Sequence, residues 1–267
     1  MTQSPESERT AAHHFGKLLV KRQRTFQDIR WQIYASLGVI ALGILSLVAV
    51  VVAVIGKLAE PEDVAAVPGL VFFAICGAIG FILYLWYSLY TQLCCYEQGI
   101  VRSTLLGTRE LNFADLDAMA FSKRRQYTHH GLYVGTCYFL MLQPRPETRR
   151  SSLSFNTQVY QGVEAEMESM RDHIADLLAE TMQAELDRQG TVFWTPLMRI
   201  GKEGVECDVN RQWRLVPWAN LQLVLEDDDW LTVYDDRTPQ PVIRVGQICV
   251  NFYPGLLLAM NKLAEIA

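Results

Sequence analysis

CCYEQGIVRSTLLGTRELNFADLDAMAF, Cys94 to Phe121, is the stretch on which the reading of this chain turns. Gly99, after Glu97-Gln98, is a hairpin-turn signal. Leu106-Gly107 marks a second turn between two short strands, and a third strand begins near Leu116. Further on, GTCYFLMLQP (Gly135–Pro144) and SSLSFN (Ser151–Asn156) alternate as strands do. A long helix is then expected from about Val159 to Arg188. Val163, Met167, Met170, Ile174, Leu177, Leu178 and Met182 recur there at three- and four-residue steps, and Gly190 closes it.

The second half repeats this grammar. Gly204 stands where Gly99 stands, Trp218 answers Phe113, and Leu221 answers Leu116, each pair 105 positions apart. A single offset shared by three landmarks is the mark of an internal repeat. DWLTVYDD and PVIRVGQ supply the later strands, and a final helix over Pro254–Ile266 carries Leu257, Leu258, Met260 and Leu263. Antiparallel strands followed by one amphipathic helix, twice over, predict tandem α+β modules.

A glycine turn followed by an apolar–x–aromatic–x–x–apolar step resembles the bacterial pleckstrin-homology-like (PH-like) domains of uncharacterised membrane proteins. The matching residues are Tyr96, Glu97, Gly99, Ile100, Leu111, Phe113 and Leu116 in copy one. In copy two they are Lys202, Glu203, Gly204, Val205, Val216, Trp218 and Leu221, with Gly201 in place of the Tyr96 ring. The resemblance implies a bent antiparallel sheet or partly open barrel capped by its last helix. It implies no catalytic residues, and it implies lipid or protein binding.

Upstream lie two uncharged apolar runs, Ile33–Ile55 and Val67–Leu93. The first, as a helix, reaches roughly 34 Å against a hydrocarbon core of ~30 Å. Aromatic residues flank both (Trp31, Tyr34; Tyr84, Trp86, Tyr87, Tyr90), and small residues such as Gly38, Gly43, Gly77 and Gly80 allow close helix packing. The expectation is a transmembrane α-hairpin over 31–93. Lys17, Lys21, Arg22, Arg24 and Arg30 precede it, Arg102 and Arg109 follow it, and its short loop is acidic. Positive-inside bias then predicts a multi-pass protein of the cell inner (plasma) membrane with both termini cytoplasmic. Residues 1–30 read as a cytoplasmic segment, disordered over Met1–Thr10, with a basic lead-in from His13 to Arg30 lying on anionic lipid. The expected partition is completed by a first PH-like module at 94–189 and a second at 190–267.

A net charge of −5 argues against nucleic-acid binding. The six cysteines form no C-x-x-C pair and have no ligand partners at zinc spacing, so no metal or cofactor is expected. Paired histidines (His13-His14, His129-His130) within a strand would point to opposite sides. Asp227–Asp229 lacks the later glutamate of a calcium loop, and Ser151, Ser152 and Ser154 lack a nucleophile elbow. No enzyme and no small-molecule substrate are expected. Two basic clusters remain: Lys123, Arg124 and Arg125, and Arg145, Arg149 and Arg150. They are candidate contacts for lipid headgroups if their loops face a bilayer. The expected function is a non-enzymatic membrane-anchored cytoplasmic binding or assembly platform, with a protein partner or homo-oligomer. The alternative is a sensor of anionic lipid or membrane state.

Overall fold

The structure is a computed structural model that describes residues 14–23, scattered positions between 33 and 52, and residues 67–127, 129–159, 165–226 and 230–266. The expectations for Met1–Thr10, the 56–66 loop and Asp227–Asp229 fall outside these residues. By internal contact the chain divides into two compact units. One is Met1–Arg22, Leu93–Arg102 and Thr108–Ala267; the other is Gln23–Gln92 and Ser103–Gly107.

The strands and helices, in chain order, begin with β1 (Leu18–Gln23), α1 (Val67–Tyr90), β2 (Gln92–Tyr96), β3 (Gly99–Thr104) and β4 (Gly107–Asn112). A 3-10 turn at Phe113–Asp115 leads to β5 (Leu116–Tyr127), β6 (Tyr133–Pro144), β7 (Leu153–Val159) and helix α2 (Ala165–Gln189). The pattern then recurs: β8 (Thr191–Thr195), β9 (Met198–Gly201), β10 (Gly204–Val209), β11 (Gln212–Pro217), and a 3-10 turn at Trp218–Asn220. It closes with β12 (Leu221–Glu226), β13 (Trp230–Asp235), β14 (Pro241–Gly246) and α3 (Phe252–Ile266). Among the described residues four sheets result, ordered β1-β2-β3-β4, β5-β6-β7, β8-β9-β10-β11 and β12-β13-β14.

The expected membrane hairpin is corrected here: among the described residues no helix is long and apolar enough to cross a membrane. Of the first run only scattered helical positions are described. The second run forms α1, whose side chains are described from Cys76 to Tyr90. The membrane part of the expected fold class therefore goes, and the multi-pass inner-membrane localisation and the membrane anchor go with it. What the structure shows is mostly antiparallel sheet. Within its own unit, α1 ends with Trp86 and Tyr90 packed edge to face and with Thr91 Oγ1 donating to the Tyr87 carbonyl at 2.9 Å.

The basic lead-in is corrected as well. Part of it, Leu18–Gln23, is a strand at the edge of the first sheet, and its Val20 packs on the core formed with Leu93, Cys95 and Ile100. The first four-stranded sheet thus takes one strand from before α1, outside the expected 94–189, and three from after it.

The repeat is reproduced in hydrogen bonds. Phe113 N donates to Gln98 O at 2.9 Å, and Trp218 N donates to Glu203 O at 3.1 Å, the same bond 105 residues on. Each glycine turn is forced by close backbone approach. A Cβ on Gly99 would lie 2.9 Å from Leu111 O, and one on Gly204 would collide with Val216 O, the equivalent carbonyl.

Two cores follow, with α2 shared between them. Met167, Met170, Ile174, Ala175 and Leu178 fill the core of the first copy, while Ala179, Met182 and Leu186 belong to that of the second. The start of α3 clasps the first copy: Asn251, left-handed at φ 58°, donates its N–H to Met119 O at 2.7 Å. Its Oδ1 accepts from Met119 N at 3.0 Å. Gln247 Nε2 donates to Lys123 O at 2.9 Å, so two side chains from copy two occupy the open edge of β5.

Candidate functional site

The two four-stranded sheets each turn one face to a core and one outward. On the second sheet Val192, Trp194, Met198, Ile200, Val205, Cys207 and Val216 face inward. Period-two alternation therefore sends Phe193, Arg199, Glu206 and Leu215 outward. Register places these four in one row across β8, β9, β10 and β11: Phe193 opposite Arg199, Arg199 opposite Glu206, and Glu206 opposite Leu215.

Arg199 is the centre of this face. Its guanidinium lies 3.9 Å from the Trp213 ring centroid and 4.5 Å from that of Phe193, so it packs against both rings, which themselves meet edge to face. Its Nη1 stands 3.9 Å from Glu206 Oε2, and its Nε has no hydrogen-bond partner. Around it, Phe193 is 57% exposed, Leu197 40%, Trp213 38% and Leu215 38%. This is an apolar patch enclosing one cation and two carboxylates, Glu206 and, opposite Trp213, Asp208, and its flanking β11 is an edge strand with Gln212–Leu215 all exposed. Below it, Asp235 is buried and takes hydrogen bonds from both Arg237 and Arg214, tying β13 to β11. Arg237 first, then Arg214, holds the Asp235 carboxyl well below the usual carboxylate range.

The outward face of the first sheet is built differently. The positions 105 residues before Arg199, Glu206 and Leu215 are Cys94, Val101 and Glu110. Phe15, Cys94, Tyr96 and Val101 make a small buried cluster there. Phe15 is held by its own backbone: its carbonyl accepts from Gln98 N at 3.0 Å, and Lys17 O accepts from Glu97 N at 3.1 Å. Gly16 at φ 79° makes the turn. In copy two, β8 is entered directly from α2 through Gly190 at φ 81°, so no residue precedes the strand in position to fold over the sheet.

The basic residues named from sequence occupy opposite ends of β5 and β6. Lys123, Arg124 and Arg125 pair with Tyr138, Cys137 and Thr136. Arg145, Arg149 and Arg150 follow Pro144, whose partner is Leu116. Seven residues of strand, roughly 23 Å, separate Leu116 from Lys123. Lys123 Nζ is tied to Glu168 at 2.9 Å, and Arg150 lies 3.4 Å from Asp115. Arg124 and Arg125 are exposed on the strand, as Arg149 is on its loop.

A groove of about 730 Å³ runs between the copies, floored by Leu116, Leu178, Met182 and Val192 and rimmed by Arg145, Glu147, Arg188 and Phe193. Burial pushes the Cys95 and Cys207 thiols up to about 12, which keeps both protonated at neutral pH. Among the described residues no three metal-binding side chains come together, and His129 and His130 sit exposed on the β5–β6 turn. Sequence reading missed the Phe193–Arg199–Trp213 stack. Its signal was the lone arginine of MRIG, in a strand whose alternate residues are apolar. No protein-family model matches the chain, and no curated protein matches its sequence.

Proposed function

We propose that this chain is a non-enzymatic binding or assembly platform, in which two PH-like modules are fastened together and the second presents its four-stranded sheet to a protein. The observation that carries this reading is the difference between the two equivalent faces. One is closed by the chain's own Phe15; the other leaves Phe193, Trp213 and Leu215 exposed around a ring-stacked Arg199. Aromatic residues and arginine in an apolar setting are the side chains that dominate protein interfaces. The clasp at Asn251 and Gln247 supports the platform reading, because it fixes that face on a preorganised base.

The anionic-lipid alternative has less behind it. Its two basic clusters stand at opposite ends of one sheet, and Lys123 is engaged by Glu168. A photo-crosslinking residue at Leu215 of the full chain, compared with one at Glu110, tests the platform reading. Protein adducts are expected from position 215 and not from 110. Equal labelling at both, or none at 215, contradicts it. Flotation of the full chain on neutral and anionic vesicles is the complementary check, and salt-sensitive binding to anionic vesicles alone would favour the lipid reading.

A further inference from the structure

The outward row on the second sheet reads apolar, positive, negative, apolar: Phe193, Arg199, Glu206, Leu215. Such a row is complementary to its own reverse. When two of these sheets meet face to face, a two-fold axis can lie between them along the β9–β10 seam. That axis sets Arg199 over Glu206 of the other copy, Glu206 over its Arg199, and Phe193 over its Leu215. Any isologous contact requires this reciprocity: residue i meets j, and j meets i.

We propose that the occupant of this face is a second copy of the same chain, paired through Phe193, Arg199, Glu206, Trp213 and Leu215. The proposal rests on the platform reading above and specifies its partner. Charge complementarity is its first support. The row brings one cation and one carboxylate from each face, and in the pair both gain an opposite charge on the other copy. The Arg199 guanidinium is already held against two rings, so little side-chain freedom is lost when it takes a second carboxylate. The first module cannot pair in this way. Its corresponding row is Cys94, Val101 and Glu110, with no cation, and Phe15 already covers Cys94 and Val101. One self-complementary face per chain gives a closed dimer and no filament.

The strength of the pairing follows from its size. Four strands ~4.8 Å apart and four to six residues long cover roughly 300 Å² per partner. A standard interface takes ~800 Å² from each side. The dimer is therefore weak, and a patch this small leaves its charge pairs within reach of salt.

Sedimentation of the full chain over a wide concentration range, at low and moderate salt, reads the equilibrium directly. Arg199→Glu leaves two carboxylates in the row, and Glu206→Arg leaves two arginines. Each alone should weaken self-association by about tenfold or more, since like charges then face each other. Mixed together, the two variants should form a heterodimer about as tight as the wild-type dimer, because each row now opposes its complement. A purely intramolecular role for the Arg199–Glu206 pair would not be rescued by mixing, since each chain would keep its own like-charged row. Trp213→Ser, which keeps both charges, should also weaken the dimer. Far-ultraviolet circular dichroism verifies that each variant is folded.

A wild-type chain that stays monomeric at several hundred micromolar overturns the proposal. So does a mixture no tighter than either variant alone. The crosslinker at Leu215 separates this failure from failure of the platform reading. Adducts to a different protein, with no self-adduct, remove the second copy and leave the platform. No adduct of any kind removes both.

Discussion

The two four-stranded sheets share a strand order, a turn glycine, an aromatic 3-10 turn and a hydrogen bond repeated 105 residues apart, yet they meet their surroundings in opposite ways. The first is entered from a segment that leaves Phe15 free to fold across Cys94, Tyr96 and Val101. The second is entered from the end of α2, through Gly190, and its outer face stays uncovered. The contrast lies in what precedes the first strand of each sheet. An identical backbone plan can thus carry a closed surface in one copy and an open one in the other.

The sharpest way to strain this comparison is to fill the two turn glycines. In Gly204→Ala the new methyl meets the Val216 carbonyl and the Pro217 backbone, neither of which can move aside cheaply. In Gly99→Ala it meets the Phe15 ring, which can shift, and the Leu111 carbonyl at 2.9 Å. Overpacking of this kind costs roughly 1–3 kcal/mol and at times more. We expect about 3 kcal/mol at 204 and about 2 at 99 in chemical denaturation. Equal losses would mean that Phe15 does not share the strain in copy one.

Removing the cap comes next. Phe15→Ala should destabilise the first module by about 2–3 kcal/mol, at or just below the ordinary range for a buried phenylalanine because its site lies on an outer face. It should also open Cys94 to alkylation while Cys95, on the core face, stays protected. Protection of Cys94 in the variant would show that something other than Phe15 closes that face.

The clasp between the copies is a smaller effect. Asn251→Ala removes the side-chain acceptor for Met119 N and places alanine in a left-handed conformation. About 2 kcal/mol should be lost, and amide exchange at Met119 should rise.

Smaller still is Trp218→Phe, which makes the second turn resemble the first. It deletes the bond from Trp218 Nε1 to Lys202 O, and roughly 1 kcal/mol should go with it. Acid unfolding gives the last contrast. Asp235 in the second module has its carboxyl pKa depressed by Arg237 and Arg214. Its contribution to stability is complete above the ordinary carboxylate pKa of about 3.9 and is lost as pH falls through the depressed value. Arg237→Met should therefore start acid unfolding at a higher pH, by a modest amount because Arg214 remains.

How far the sequence reveals this architecture depends on the kind of signal. Gly99, Gly204, Phe113 and Trp218 were legible because a turn that brings a carbonyl against Cα admits only glycine, and because the step to an aromatic residue repeats at one spacing. The strand over Gly135–Pro144 and the long helix were legible through their periods, and they coincide with most of β6 and α2. β1 was not legible, since 68 residues separate Gln23 from Gln92 and LLVKRQ carries its basic residues in the manner of a surface helix. The apolar runs drew the reading toward a membrane hairpin because hydropathy speaks only of length and charge, whereas among the described residues no helix is long and apolar enough to cross a membrane. The stack on Arg199 was hidden for another reason. Phe193, Arg199 and Trp213 come from three strands, and only sheet register brings them together.

The most direct test of the central claim is amide hydrogen exchange of the full chain at low and high protein concentration. If the second sheet is the face that engages a partner copy while the first is closed by Phe15, raising the concentration should add protection over residues 191–217 and leave 92–112 unchanged. Added protection over 92–112, or none over 191–217, would contradict it.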